Sequence, residues 1–215
     1  MWPVARLRLS PEQRSAQLLD LGERLFASTP YDEVHIEKVA ELAGVSRGLL
    51  YHYFPGKKAF FAALVRRHSE KLLAETEPDP SLPPYEQLAH GVEVYLDHVA
   101  RNPLGTRAMM RALASADEQM TRLTASTEHA QATRILAALT PDDGRPPPLL
   151  RIAVRNWVVF IRNAAHDWLD EPEVPRDAMR DLALSAFVGI LRGLPAGSRP
   201  AGLEELLASV EAYAD

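Results

Sequence analysis

Apolar residues recur every three or four positions along most of the chain, and no segment alternates apolar and polar residues over the length of a strand. This spacing predicts an all-α protein. A first helix is predicted to begin at Pro11, because Ser10 can cap it, proline is favoured at the first helical position and Gln13 can bond back to the cap. Its predicted buried positions are Leu18, Leu21 and Leu25. The helix is expected to end near Pro30.

Two short helices follow, separated by a tight turn. The apolar positions of the first, at helical spacing, are Ile36, Val39, Ala40 and Ala43. Gly44 is a typical C-terminal stop, and Ser46 can cap a second helix over residues 47–53, which ends before "FPGK". Two short helices joined by a tight glycine-containing turn form a helix-turn-helix. The pattern therefore predicts this motif near the amino end.

Seven further helices are predicted from the remaining periodicity. Their ranges are 57–76, 84–101, 103–114, 116–139, 147–170, 175–194 and 201–213. Proline-rich segments, "EPDPSLPP" and "TPDDGRPPP", interrupt the series twice. We therefore predict two domains, a helix-turn-helix domain over residues 10–56 and a larger helical bundle over residues 57–215.

Composition narrows the class of protein. The 215 residues are 47% hydrophobic, which is enough to fill one large core or two small ones. Cysteine is absent, which excludes disulfides, cysteine-rich zinc sites and thiol catalysis, and fits a reducing compartment. The start of the chain has no apolar run of signal-peptide length, and the later apolar segments are broken by Arg and Asn. A cytoplasmic protein is expected.

Charge is distributed unevenly along the chain. The net charge is -5, but residues 1–67 contain ten Lys and Arg against seven Asp and Glu, so this part carries +3 and the rest carries -8. Such an asymmetry indicates a small basic module joined to a larger acidic one that meets a different partner.

The helix predicted over residues 47–53 has two chemically different sides. Leu50 and Phe54, four positions apart, are expected to face inward with Val45. The positions left outside are Ser46, Arg47, Gly48, Leu49, Tyr51 and His52. A helix enters the DNA major groove when one side packs on its own domain and the other presents polar groups. The alternative is a solvated amphipathic helix whose aromatic residues pack on a neighbour, but the one-sided cluster favours DNA.

Each outward residue has a predicted role. Arg47 can bond guanine O6 and N7 together, and Gly48 lets the helix backbone approach DNA. The donors on the rings of Tyr51, His52 and Tyr53 suit phosphate oxygens, and Lys57 adds a charge at the start of the next helix.

The segment "IEKVAELAGVSRGLLYHYFPGKKAFF" closely resembles the N-terminal DNA-binding domain of the tetracycline-repressor (TetR) family of bacterial transcription regulators, and the match covers about residues 14–67. The resemblance implies that the DNA-contacting positions are Arg47, Gly48, Leu49, Tyr51, His52, Tyr53 and Lys57, and Ser46 and His35 complete the predicted DNA-binding set. His35 stands where the family usually has a Thr or Ser that caps the second helix and bonds a phosphate, and Leu49 stands where the family often has a hydroxyl.

The resemblance also implies a function for the whole chain. We expect a repressor that binds an inverted-repeat operator as a homodimer and is released by a small-molecule effector held in the C-terminal domain. The fourth helix, which starts at Lys57 and continues into the larger domain, would be the lever between the two events.

The larger domain is expected to supply the dimer interface and the effector site. The helices predicted over 147–170 and 175–194 are apolar nearly all round, so they need cover on both sides, and pairing with their copies across a twofold axis supplies it. Large apolar residues with a few polar tips suit a small-molecule site. The candidates are Tyr95, Met109, Met110, Trp157, Phe160, Asn163 and His166, although ordinary core packing explains each of them better when it is taken alone.

Catalytic and metal sites are not expected, nor is a cofactor. His90, Glu93 and Asp97 share one helix face at metal-ligand spacing, but no second helix offers a matching pair of ligands. Nothing resembles a nucleophile and base pair, a P-loop or a dinucleotide fingerprint. The alternative function, left open at this point, is a helical bundle with enzymatic or metal-binding activity that carries an incidental helix-turn-helix.

Overall fold

The chain is helical throughout its described part. The computed structural model describes residues 9–114, 116–140, 145–199 and 202–214, apart from the side chains of 204, 205 and 211–214. Within these ranges lie ten α-helices, two short 3-10 turns at Tyr31–Glu33 and Ala196–Ser198, and no strand, which confirms the all-α prediction. The helices are α1 Pro11–Ser28, α2 Glu37–Ala43, α3 Arg47–Tyr53, α4 Lys57–Glu75, α5 Pro84–Arg101, α6 Pro103–Ala114, α7 Glu118–Leu139, α8 Pro148–Trp168, α9 Arg176–Arg192 and α10 Leu203–Ala214.

The local signals in the sequence set the helix ends. At α1 both bonds of the capping box form: the Gln13 N–H donates to Ser10 Oγ at 3.2 Å, and the Ser10 N–H donates to Gln13 Oε1 at 2.9 Å. Helix α2 ends at Gly44, whose φ of +65° lies in the left-handed region that glycine adopts without strain. Ser46 caps α3 by accepting from the Leu49 N–H at 3.1 Å. These three predicted ends are confirmed.

The amino-terminal unit extends to His68 and has an aromatic core. Helix α1 buries Leu18, Gly22 and Phe26, whereas Leu21 and Leu25, predicted to be core, are only half-buried. The prediction was wrong because it counted large side chains only, and the buried stripe runs at i, i+4, i+8 through a glycine. Phe60 occupies the space that Gly22 leaves, and its ring packs against those of Phe26 and Phe54 at centroid distances of 6.2 and 4.7 Å.

The two compact units divide within α4, after His68. The sequence prediction set the functional boundary at the start of this helix, between residues 56 and 57. The amino-terminal unit reaches further because the first turns of α4 contribute buried side chains to its core, among them Phe60, Phe61 and Leu64. The functional division at residue 57 stays a prediction.

The second unit has a core of its own, contributed mainly by α5, α7, α8, α9 and α10. Trp157 of α8 lies at its centre: the ring packs on Phe187 of α9 at 4.7 Å, and the indole N–H donates to the Ala183 carbonyl at 2.9 Å. Outside this core, α8 and α9 leave large apolar side chains exposed, namely Leu149, Ile152, Phe160, Leu182 and Ile190. Among the helices described, none combines the length and the apolar character needed to cross a membrane.

Candidate functional site

Helix α3 separates its two sides as predicted. Leu50 and Phe54 are buried, with 0% and 7% of their surface exposed, and they anchor the helix on the amino-terminal unit. The exposed residues of α3 and its cap, called here the α3 face, are Ser46, Arg47, Gly48, Tyr51 and His52. Leu49 and Tyr53 lie at its margins and are half-buried. The face is therefore a polar surface held on an apolar anchor.

Arg47 and Gly48 leave the α3 face open. The Arg47 guanidinium makes no hydrogen bond or ion pair with any side chain in the described ranges, so its donors remain available. A Cβ added at Gly48 would meet only Ser46 Oγ, at 3.9 Å, so the protein's own packing does not require glycine at this position. The absence of a side chain instead leaves the helix backbone accessible from outside.

Tyr51 has a partner that the sequence did not indicate. Its hydroxyl donates to Oε1 of Glu37, a half-buried residue in the first turn of α2 that lies 14 positions earlier in the chain. The bond lowers the pKa of the Glu37 carboxyl and raises the pKa of the Tyr51 phenol, because it stabilises an ionised acceptor beside a neutral donor. No local signal marks Glu37, since the contact depends on the crossing of α2 and α3.

The start of α2 carries no side-chain cap. The cap position is Ile36 and it makes no side-chain bond, while His35, exposed, precedes it by one residue and accepts the Lys38 N–H on its carbonyl at 3.0 Å. The predicted contact between His35 and a phosphate stays a prediction. On α3, the rings of His52 and Tyr53 pack edge to face with their centroids 5.6 Å apart, and this contact stabilises the orientation of both rings.

Lys57 is engaged inside the protein. Its ammonium donates to the backbone carbonyls of Tyr31, Asp32 and Val34 at 2.9, 3.1 and 3.0 Å, and it lies 4.9 Å from the centroid of the Tyr31 ring. An ammonium has three N–H donors, and these bonds use all of them. The predicted phosphate contact would therefore require at least one bond to break. In this geometry Lys57 ties the loop before α2 to the first turn of α4.

Replacing Lys57 by Met is expected to lower the free energy of unfolding by about 1–2 kcal/mol, because charge-assisted bonds to three backbone carbonyls are lost. Urea denaturation measures the change. Lys71→Met, which removes an exposed i,i+4 pair to Glu75 in the same helix, serves as the control and should cost no more than about 1 kcal/mol. Unchanged stability in Lys57→Met would mean that the three bonds do not hold the loop.

The predicted effector residues do not share one environment. Trp157 is buried in the core, Phe160 is 37% exposed, Asn163 is exposed, and the ring of half-buried His166 contacts Asp167 at 3.2 Å. Tyr95 packs against the core of the second unit. Met109 and Met110 of α6 are half-buried. A shared pocket of these residues stays a prediction.

A polar cluster does lie beside two of them. Arg162 of α8 pairs with Glu128 of α7, and it also bonds Oδ1 of Asn163 at 3.2 Å. Burial raises the pKa of the Glu128 carboxyl and that of the Tyr95 phenol, and Tyr95 interacts electrostatically with both members of the pair. On the same helix as Glu128, the Thr124 hydroxyl is buried without a hydrogen-bond partner among the described residues.

The carboxylates considered as metal ligands are engaged by arginines. Glu93 is 3.2 Å from Arg180, and Asp97 is 2.8 Å from Arg176, both of α9. Arg107 of α6 likewise pairs with Asp170 at 2.6 Å. These contacts support the interpretation of Glu93 and Asp97 as members of ion pairs in a region of mixed charge.

Two family models match separate parts of the chain. The model described as "Bacterial regulatory proteins, tetR family" matches residues 18–64, which contain α2 and α3. The model described as "Tetracyclin repressor-like, C-terminal domain" matches residues 84–190. A solved structure, a tetR-family transcriptional regulator from Streptomyces coelicolor, superposes with a TM-score of 0.80 at 30% identity and covers 95% of this chain and 90% of that one.

Curated relatives match over shorter regions. The transcriptional repressor KstR of Mycolicibacterium smegmatis is 34% identical over 107 residues, which is 49% of this chain and 52% of the relative. The transcriptional regulator EthR of the same organism is 29% identical over 115 residues, 52% of each protein. About half the length of these two relatives is therefore matched.

Proposed function

This chain belongs to the tetR family of bacterial regulatory proteins, which are DNA-binding transcriptional regulators, and from this premise we propose that it is a repressor whose α3 face enters the major groove of an operator. The observation that carries the proposal is the division of α3. Leu50 and Phe54 hold the helix on its unit, while Arg47, Gly48 and Tyr51 are exposed together on the other side. A groove-reading helix needs this separation.

The DNA contacts we propose are of two kinds. Arg47 reads a base edge, because its guanidinium is exposed and makes no hydrogen bond or ion pair with the described residues. Ser46, His52 and Tyr53, with His35 before α2, approach the phosphates, and such contacts position the helix without specifying sequence. Leu49, half-buried at the margin, can touch a thymine methyl.

The protein is proposed to act as a homodimer through α8 and α9. The exposed positions of α8 include a stripe at helical spacing, Leu149, Ile152, Asn156, Phe160 and Asn163, with the exposed Arg155 beside it. On α9 the exposed stripe is Ala178, Leu182, Ser185 and Gly189, whose small residues allow a second helix to approach closely. An exposed apolar surface of this kind is typical of a protein interface. Pairing both helices with their copies gives a four-helix interface with twofold symmetry.

A symmetric dimer carries two copies of the α3 face and therefore favours an inverted-repeat operator. The half-sites of such dimers commonly lie about 34–36 Å apart, one turn of DNA. A small molecule bound in the second unit would release DNA if it bound one dimer geometry more tightly than the other, and such coupling typically amounts to about 1–3 kcal/mol. The polar cluster of Arg162, Glu128 and Tyr95 offers that molecule hydrogen-bonding groups inside a mostly apolar unit.

Replacing Arg47 by Ala is expected to weaken binding to the preferred operator about tenfold and to relax base preference at one position of each half-site, because the bidentate contact to guanine is lost. The measurement is selection of bound sequences from random DNA, followed by affinity titration of wild type and variant. Arg66→Ala, which removes an exposed arginine of α4, is the control for charge alone.

Two outcomes would contradict this function. Binding to DNA should weaken steeply as salt rises, because phosphate contacts release counterions. A wild-type protein that selects no sequence and binds without salt dependence would favour the alternative of a helical bundle with another activity. If Arg47→Ala loses the same affinity for every DNA sequence, Arg47 does not read a base.

A further inference from the structure

Glu37 and Tyr51 form a pair at the side of the α3 face. Glu37 lies in the first turn of α2, Tyr51 lies in α3, and the phenol hydroxyl donates to Oε1 of the carboxylate. Tyr51 is 40% exposed, so the pair lies at the surface and not inside the domain. Arg47, one helical turn before Tyr51, interacts electrostatically with Glu37 and Tyr51. The Glu37 carboxylate thus places a negative charge beside the α3 face, whose other polar groups suit the DNA phosphates.

The bond decides what the phenol can offer to another molecule. A tyrosine hydroxyl has one hydrogen, and while that hydrogen is donated to Glu37 the oxygen can only accept. The ionised carboxylate is also an acceptor only. The raised pKa of Tyr51 and the lowered pKa of Glu37 have the bond as their largest cause, so both groups keep these states near neutral pH. The pair therefore presents oxygen lone pairs and no donor.

An acceptor pair does not match the DNA backbone. Phosphate oxygens donate nothing, and a carboxylate beside them is repelled. In the major groove, however, each base pair carries one exocyclic amino group, on cytosine N4 or adenine N6, and glutamate is a recognised acceptor for such a group. The donors of Arg47 suit the acceptors of guanine. The donors of Arg47 and the acceptors of the Glu37–Tyr51 pair therefore lie side by side, and together they match base edges that carry both acceptors and amino groups.

We propose that Glu37 and Tyr51 together determine operator specificity by accepting a hydrogen bond from the exocyclic amino group of a cytosine or adenine in each half-site. The inference rests on the proposed function, since it concerns the DNA that α3 reads. It replaces the prediction that Tyr51 donates to a phosphate. The two residues act as one contact, because Glu37 orients the phenol and removes its donor from the surface.

The test measures affinity for operator variants with every base at each half-site position. Wild type is expected to show one position where an amino-bearing base is preferred about tenfold. At that position, an operator with purine in place of adenine, or with 2-pyrimidinone in place of cytosine, lacks only the exocyclic amino group and should bind about tenfold more weakly. The base that the wild type selects shows whether adenine or cytosine is the donor.

Two protein variants assign the preference to the pair. In Tyr51→Phe and in Glu37→Ala the preference at this position should fall about tenfold, while affinity for unrelated DNA stays equal or, in Glu37→Ala, becomes tighter through loss of a negative charge. Glu41→Ala is the matched control: Glu41 is an exposed acid of the same helix, bonded to Lys38 at 2.9 Å and not to Tyr51. It should keep the preference unchanged.

Distinct results overturn the inference. If Tyr51→Phe weakens binding to all sequences alike, the phenol hydroxyl donates its hydrogen bond to a phosphate in the complex and not to Glu37. If both variants keep the wild-type base preference, neither residue reads a base. Failure of wild type to bind any DNA would instead reject the proposed function, so the two failures are distinguishable.

Discussion

Replacing Ile152 by Glu is expected to convert the proposed dimer into a monomer and to reduce operator affinity by at least about 100-fold. The reason begins with the surface of α8, where Ile152 is 56% exposed between Leu149 and Phe160 on one stripe. A carboxylate placed there would lose its hydration against an apolar partner surface, which is costly even with the exposed Arg155 one turn away on α8. Twofold symmetry introduces the charge twice.

Loss of the proposed dimer would leave one DNA-reading helix where we propose two. A second binding event that is intramolecular raises overall affinity by about 10²–10⁴ without any new contact, and a monomer loses that gain. The variant should nevertheless remain folded, because Ile152 contributes little to the core of its own unit. Sedimentation measures the association state, circular dichroism the helix content, and a titration with operator DNA the affinity.

Leu42→Glu is the matched control for this substitution. Leu42 of α2 is also 56% exposed, so the same change of apolar residue to acid is made at the same exposure but in the other unit. It should leave the association state unchanged. A dimer that persists in Ile152→Glu at the same protein concentration would locate the interface elsewhere.

Replacing Gly22 by Ala is expected to destabilise the amino-terminal unit by about 2 kcal/mol. The added Cβ would lie 2.2 and 2.4 Å from Cε1 and Cζ of Phe60, far inside contact distance. Phe60 is fully buried, and its ring is held by Phe26 and Phe54, so it cannot move away without strain. Overpacking of a core commonly costs about 1–3 kcal/mol and sometimes more, and the better helix propensity of alanine returns at most about 1 kcal/mol.

Urea denaturation, with DNA binding as a second readout, measures the effect. Gly91→Ala in α5 is the control, because a Cβ there meets no atom within 4 Å, and the change should stabilise by up to about 1 kcal/mol. Phe60→Leu should lessen the cost of Gly22→Ala, since a smaller side chain frees the space. If Gly22→Ala lowers the free energy of unfolding equally in the wild type and in Phe60→Leu, the added methyl group does not clash with the Phe60 ring.

The fold could be predicted closely because its signals are local. Caps, breakers and apolar spacing act within about four residues, and they located the ends of α1 at Ser10 and of α2 at Gly44. The same spacing identified the inward side of α3 through Leu50 and Phe54. It misjudged α1, where the buried stripe contains Gly22, because a residue without a side chain produces no apolar signal.

The candidate site was predictable in its location and less so in its contacts. Exposure of Gly48 and His52 follows from their position on the helix opposite Leu50. The partner of Tyr51 and the engagement of Lys57 do not follow, because Glu37 lies 14 residues before Tyr51, and the carbonyls bound by Lys57 lie 23 to 26 residues before it. Local spacing carries no information about such pairs.

The sequence by itself determined the helices, their order and the polar face near the amino end, since each depends on residues within a turn or two of one another. The tertiary structure alone decided that a carboxylate holds the Tyr51 phenol, that the Lys57 ammonium serves three carbonyls, and that Phe60 needs a glycine opposite it. The physical reason is that hydrogen bonds and ring contacts require atoms within a few ångströms. Only the packing of helices brings together groups so far apart in the chain.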